Sequence, residues 1–178
     1  MLPRRLFIRV LLTLGFFSLS GCRTEPGIPA NVYGHPLPHV IAERLALARE
    51  VAWTKFHSGA PVLDPAREDA LKASFVAQAR ARGLHSQLAE VFITAQLDAS
   101  RAVQTELLHS WENPAARPAK PPRDLASDLR PALAALTPRL IAALPHEPRP
   151  ELAAATERIL RDDGFSPTVI SLATAPLR

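Results

Sequence analysis

The chain is 178 residues long, with 21 Lys and Arg against 17 Asp and Glu and a single cysteine. Its formal net charge of +4 rests on its beginning: residues 1–21 hold Arg4, Arg5 and Arg9 and no acid, so the remainder carries only +1. That near-neutral remainder argues against nucleic-acid binding, one cysteine excludes an internal disulfide, and an Ala- and Leu-rich composition with few strand-type runs points to an all-α fold.

Met1–Arg9 is basic, Val10–Leu19 is an apolar run of ten residues, and Leu19-Ser20-Gly21-Cys22 follows. This order is that of a secretory signal, so residues 1–21 are read as a signal peptide. The run is too short to span a membrane, which takes ~20 apolar residues. Leu-Ser-Gly-Cys has the form of a bacterial lipobox. On that reading Cys22 becomes the lipidated N-terminus and anchors an exported chain to a membrane on the periplasmic side. The alternative is ordinary cleavage near Gly21, which leaves Cys22 as a free thiol. Arg4-Arg5-Leu6-Phe7-Ile8-Arg9 also resembles a twin-arginine export signal, with Pro3 where Ser or Thr is usual. Residues 22–37 then form the lipidated start and a Pro- and Gly-rich tether.

The first helix is expected from about Pro38 to His57, with an apolar stripe of Val40, Leu45, Leu47, Ala48, Val51, Ala52 and Phe56, ended by Gly59 and Pro61. Arg44 and Lys55 are about three turns apart at ~3.6 residues per turn, so they share a face. Ala48 and Ala52 between them are expected to leave room for a ligand. Asp64-Pro65 opens the second helix as N-cap and first helical residue, and the helix stops near Gly83. Arg67 and Glu68 lie in its first turn, where Glu suits the helix dipole and Arg does not, so Arg67 asks for another reason to be there.

The third helix is expected over Ser86–Trp111, with Leu88, Val91, Phe92, Ala95, Ala99, Val103, Leu107 and Trp111 as its core stripe. Gln96, Ser100 and Gln104 recur at i+4 along one edge. That edge is either an outer border or the wet wall of a pocket inside the bundle. Glu112–Arg123, with four prolines, reads as a linker. A fourth helix follows over Asp124–Leu144, which Pro131 and Pro138 are expected to kink or split. It carries Arg130. Residues 145–178 read as a C-terminal tail of unknown role, a short helix over Glu151–Arg161 followed by irregular chain.

Arg44, Lys55, Asp64, Arg67, Glu68, Ser100 and Gln104 can therefore converge on one pocket. Cations, one neutral amide and a few acceptors suit a small, dianionic, hydroxylated ligand. They do not suit a nucleotide, a nucleophilic mechanism or a metal. The six histidines (His35, His39, His57, His85, His109, His146) show no metal-ligand spacing on a helix.

These residues resemble a known family. Ala42-Glu43-Arg44-Leu45, Val51-Ala52-Trp53-Thr54-Lys55-Phe56, Asp64-Pro65-Ala66-Arg67-Glu68, Gln96-Leu97-Asp98-Ala99-Ser100 and Val103-Gln104 look like the exported, monofunctional, all-helical chorismate mutases, over residues 38–144. The resemblance implies conversion of chorismate to prephenate without a cofactor, and a homodimer. It implies that Arg44, Arg67 and Arg130 hold the substrate's two carboxylates, with Arg139 as the alternative to Arg130. Lys55 and Gln104 would donate to the ether oxygen and act as the catalytic pair. Glu68, with the backbone of Asp64, would receive the ring hydroxyl, and Ser100 would line the carboxylate end. Some relatives carry an acid at the position of Gln104, and an amide there donates at any pH.

Two rival readings remain at this point. One is an isochorismate–pyruvate lyase, which breaks a similar ether bond on the same scaffold. The other is a non-catalytic helical lipoprotein that binds a small dianion or a protein partner.

Overall fold

The computed structural model describes residues 34–178. The expected signal peptide, Cys22 and nearly all of the tether lie outside the described residues. Helix α1 spans Pro36–Ser58, α2 Pro65–Ala81 and α3 Ser86–Ser110. A Pro-rich connection with one 3₁₀ turn (Pro114–Ala116) leads to a π-helical turn, Leu125–Leu129, that runs straight into α4, Arg130–Ala143. Helices α5 (Pro150–Asp162) and α6 (Pro167–Thr174) follow, and a 3₁₀ turn over Ala175–Leu177 ends the chain. Among the described residues there is no strand, and the all-α expectation holds.

The bundle is organised around α1 and α3. Helix α1 packs on α3, α4 and α5, and α3 packs on α1, α2 and α6. Leu37, Ile41, Leu45, Phe92, Ile93, Leu140, Leu152 and Leu160 are almost wholly buried in one continuous core. Helix α1 begins slightly earlier than expected. Pro36 occupies its first turn and the His35 ring nitrogen accepts from Leu37 N–H at 3.3 Å. Histidine is not a standard capping residue, which is why this start is hard to see in the sequence. Gly59 ends α1 at φ 68, in the left-handed region that glycine tolerates best.

The connection between α3 and α4 is pinned rather than loose. Trp53 Nε1 donates to Lys120 O at 2.8 Å and Thr54 Oγ1 to Arg123 O at 2.7 Å. Arg123 and Lys120 both pair with Glu50. Trp53 also stacks on Phe56 and meets Trp111 edge-on, at 5.1 Å between ring centres. This seam on α1 fixes where α4 begins.

Two expectations fail here. Val91 is not in the core of α3: it is 48% exposed, while Gln96 is fully buried. The helix is rotated so that Gln96 faces α6, where its Nε2 donates to Ala173 O at 3.0 Å. A buried amide that ties down a backbone carbonyl looks, in sequence, like a surface glutamine. The tail is not irregular either. Phe165, Val169, Ile170, Ala173 and Leu177 join the same core, and α6 is capped by Ser166, whose hydroxyl accepts from Val169 N–H at 3.2 Å.

Fully burying one large aliphatic side chain contributes about 1.5–3 kcal/mol. Leu152, Leu160, Val169, Ile170 and Leu177 together therefore rival the ~5–15 kcal/mol that holds a whole domain folded. A chain ending at Leu144 is expected to lose its cooperative thermal transition, monitored by circular dichroism at 222 nm.

Candidate active site

One pocket between α1, α2, α3 and α4 is lined by all eight predicted binding residues: Arg44, Lys55, Asp64, Arg67, Glu68, Ser100, Gln104 and Arg130. It is a small cavity of about 100 Å³ that opens to solvent at its mouth. Its remaining wall is mostly aliphatic, from Val51, Val62, Leu71, Leu97, Leu125 and Leu133.

Helix α1 contributes Arg44, Val51 and Lys55. At ~100° per residue, positions seven and eleven after Arg44 fall within ~20° of it, whereas positions four and eight rotate away by ~40° and ~80°. This is why Ala48 and Ala52 pack into the interior and do not provide the expected ligand space. Arg44 is 4% exposed and its Nε has no hydrogen-bond partner. Burial alone pushes its guanidinium down to about 10. Lys55 donates from Nζ to Val62 O at 2.7 Å, which ties it to the loop after α1 and leaves two of its three protons for other acceptors.

The start of α2 contributes Asp64, Arg67 and Glu68. The Asp64 carboxylate caps the helix, accepting from Arg67 N–H at 3.2 Å, and its carbonyl accepts from Glu68 N–H at 2.9 Å. Capping therefore orients both following side chains. Glu68 is not free: it pairs with Arg101, which also pairs with Asp98 on its own helix. Arg101 lines the pocket as well, and the sequence reading missed it. Its only sequence signal is an arginine beside Ser100, three residues after an aspartate.

On α3, Ser100 and Gln104 face the pocket while Gln96 does not. The edge read as either border or wall is thus divided between two jobs. Gln104 is 5% exposed. Its Nε2 donates to Ser100 O at 3.1 Å and to Ser100 Oγ at 3.3 Å, and its Oε1 is buried without a partner.

Arg130 stands at the junction of the π-helical turn and α4. Pro131 has no N–H, and its ring crowds the carbonyl four residues back, so the turn before it widens. Leu129 N–H reaches Asp124 O at 3.1 Å and Arg130 N–H reaches Leu125 O, each five residues back. Leu125, Arg130 and Leu133 all face the pocket across this widened turn. The Arg130 Nε is buried and unpartnered, as is that of Arg44. Arg139 lies elsewhere. It pairs with Glu43 at 2.7 Å on the outer side of α1 and α4 and is half exposed. Arg130→Ala is expected to lower kcat/KM by at least tenfold, the scale of a lost charge-assisted hydrogen bond. Arg139→Ala should leave it within about twofold, since an exposed ion pair contributes ~0–1 kcal/mol. Steady-state kinetics on both variants check this.

Five cations, Arg44, Lys55, Arg67, Arg101 and Arg130, thus surround the pocket with two carboxylates, Asp64 and Glu68. Arg101 is matched by Glu68. The Lys55 ammonium is lowered first by burial; Asp64 and Glu68 oppose the shift, and Arg130 and Arg67 reinforce it. A buried guanidinium nitrogen without a partner is costly unless an acceptor completes it. Among the described residues no group of three or more His, Cys, Asp and Glu side chains is placed to hold a metal.

Fold and pocket together define an all-helical protein with one cation-rich pocket between its first four helices. The family profile described as chorismate mutase type II matches residues 37–105. The secreted chorismate mutase of Mycolicibacterium smegmatis is 30% identical over 141 residues, covering 74% of this chain and 77% of that protein. Crystal structures of chorismate mutases from Burkholderia thailandensis and Burkholderia phymatum share the fold. The first is 30% identical with a TM-score of 0.72, covering 83% of this chain and 99% of the other. The second is 27% identical with a TM-score of 0.72, covering 82% and 95%. The chain belongs to the type II chorismate mutase family.

Proposed function

We propose that this chorismate mutase, an isomerase, converts chorismate to prephenate in the pocket between α1, α2, α3 and α4. The observation that carries the reading is the pair of buried, unpartnered guanidinium nitrogens on Arg44 and Arg130, facing a pocket rich in cations. The reaction is an intramolecular rearrangement. The ether C–O bond breaks as a C–C bond forms, and no proton or covalent intermediate is needed. The enzyme has to fold the enolpyruvyl group over the ring and stabilise charge that grows on the ether oxygen.

Arg44, Arg67 and Arg130 clamp the two carboxylates, and the planar fork of arginine suits that task. Fixing the reactive conformer removes several kcal/mol of orientational cost. Ser100 lines the carboxylate end. Lys55 and Gln104 donate to the ether oxygen and bind it more tightly as the bond lengthens, which is what accelerates the step. Nε2 of Gln104 carries two protons: one stays on Ser100 O, and the other, directed at Ser100 Oγ, turns to the ether oxygen. Glu68 and the backbone of Asp64 receive the ring hydroxyl.

The secreted relative supports export of this chain, with residues 1–21 as its signal. The Leu-Ser-Gly-Cys motif supports a lipid on Cys22 and attachment to a membrane on the periplasmic side. The resemblance supports a homodimer. Prephenate is the precursor of the Phe and Tyr branch of aromatic amino acid synthesis, and this is the place we assign to the product.

The direct test is incubation of the chain beginning after Cys22 with chorismate, and separately with isochorismate, with products identified by mass and absorbance. Prephenate from chorismate is expected. Pyruvate and salicylate from isochorismate alone would overturn the reading.

Both Lys55 and Arg44 act only while protonated, and both are shifted downward by burial. The neutral amide of Gln104 adds no acid-side requirement. The free-enzyme profile of kcat/KM is therefore expected to stay flat between about pH 5 and pH 8, since no group in the set is required to change charge there. It should fall on the alkaline side, through Lys55, which burial lowers from its ordinary 10.5, and through Arg44 at about 10. Initial rates across buffers of constant ionic strength check this.

A further inference from the structure

The Glu68 carboxylate stands in a ring of cations; the cap at Asp64 sets the direction in which the side chain leaves α2, but no group of α2 holds the carboxylate itself. Of the seventeen residues of α2, only Phe75 and Ala79 are buried, both beyond the first turn. A glutamate side chain has three rotatable torsions, and Lys55 and Arg67 line the same pocket. Left alone, the carboxylate would be drawn onto the Lys55 ammonium, a compact point charge. That contact would occupy Glu68 and quench the positive charge of Lys55.

Arg101 prevents this by geometry. It reaches from α3 across to α2, where Nη1 donates to Glu68 Oε2, while Nη2 donates to Asp98 Oδ1 one turn back on its own helix. Asp98 holds the guanidinium, and the guanidinium holds one oxygen of Glu68. Glu68 is only 16% exposed at its side chain, against 33% for Arg101 and 35% for Asp98, so the inner end of the relay faces the pocket and the outer end faces solvent. The second oxygen, Oε1, is left for a ligand. A planar fork can serve two carboxylates in fixed directions, whereas an ammonium cannot.

We infer that Arg101 is a positioning residue for the mutase reaction: braced by Asp98, it aims Glu68 at the substrate's ring hydroxyl and keeps it off Lys55. This rests on the proposed role of Glu68.

The test is a double-mutant cycle with chorismate on Arg101→Gln, Glu68→Gln and the double variant, together with Arg101→Lys. The four proteins are also assayed on a chorismate analogue that lacks the ring hydroxyl, and their thermal midpoints are recorded. Arg101→Gln is expected to lower kcat/KM about tenfold, the scale of one charge-assisted hydrogen bond. The double variant should be no slower than Glu68→Gln, because both remove one function. The loss should largely vanish on the analogue, and Arg101→Lys should recover part of it. Three results would overturn the inference: penalties that multiply in the double variant, a loss of equal size on the analogue, or a lowered midpoint with kcat/KM unchanged. Unchanged activity of Glu68→Gln alone would instead overturn the role given to Glu68, so the two failures are told apart.

Discussion

Lys55→Ala is expected to lower kcat by about 3 kcal/mol or more, roughly two orders of magnitude, on the scale of a lost oxyanion-stabilising donor. The pocket contains several cations, but they do not have equivalent tasks. An arginine that grips a carboxylate meets nearly the same charge in the ground state and in the transition state, so its removal acts mainly on binding and alignment. The ether oxygen is different: it carries little charge in chorismate and gains charge as its bond to carbon stretches. A donor at that atom strengthens only during the reaction and shows in kcat. Lys55 is suited to this because the Val62 carbonyl fixes its ammonium at 2.7 Å and half-burial raises the strength of its field. Lys55→Met separates charge from packing, since it keeps the aliphatic stem that lies along the wall. Both variants should lose kcat to a similar extent while their thermal midpoints differ. Arg44→Ala, by contrast, should raise KM as well as lower kcat. Near-wild-type turnover in Lys55→Ala would overturn the mechanism.

The pocket was more legible in the sequence than the core around it. Arg44 and Lys55, or Ser100 and Gln104, share a face by helical periodicity alone, and Asp64-Pro65 marks a helix start that fixes the directions of Arg67 and Glu68. These are local rules, and the structure keeps them. What failed depends on long-range partners. Gln96 continues the Ser100–Gln104 row at i+4, yet it serves Ala173, seventy-seven residues later. Val91 sits at an apolar stripe position, yet α3 turns that face outward because α6 occupies the neighbouring side. The last α-helix is only eight residues long, too short to hold itself in water, and it exists because the core accepts Val169, Ile170 and Ala173. Arg101 escaped notice for a related reason: its meaning lies in Glu68 on another helix. The Pro-rich connection looked like slack chain, but Trp53, Thr54 and Glu50 hold it at defined points, and only that pinning lets a distant arginine, Arg130, be delivered with a fixed direction.

Gln104→Glu is expected to cut kcat/KM by about 100-fold or more at neutral pH, again on the scale of one lost donor at the reacting oxygen, and to regain much of it as the pH falls. The substitution is nearly isosteric, so the packing of the surrounding helices is kept, while the donation to Ser100 O at 3.1 Å is lost along with the donor to the ether oxygen. What changes is the sign of the group. A carboxylate cannot donate a hydrogen bond, and beside a developing negative charge it repels. Protonation restores one donor. The position is 5% exposed, which favours the neutral acid and raises its pKa; Lys55 and Arg130, which line the same pocket, favour the anion and lower it. Whichever dominates, the direction with pH is fixed: activity rises as the carboxyl takes up its proton, whereas the wild type, with an amide, stays flat over the same range. The ratio of variant to wild-type kcat/KM, measured between pH 4.5 and pH 8.5, isolates that single ionisation, because effects common to both proteins cancel. A ratio that stays constant would remove Gln104 from the ether oxygen and leave Lys55 as its sole donor. A ratio that climbs toward acid would also account for relatives with an acid at this position: the same fold and clamp can run in a different pH window by exchanging one amide for one carboxyl.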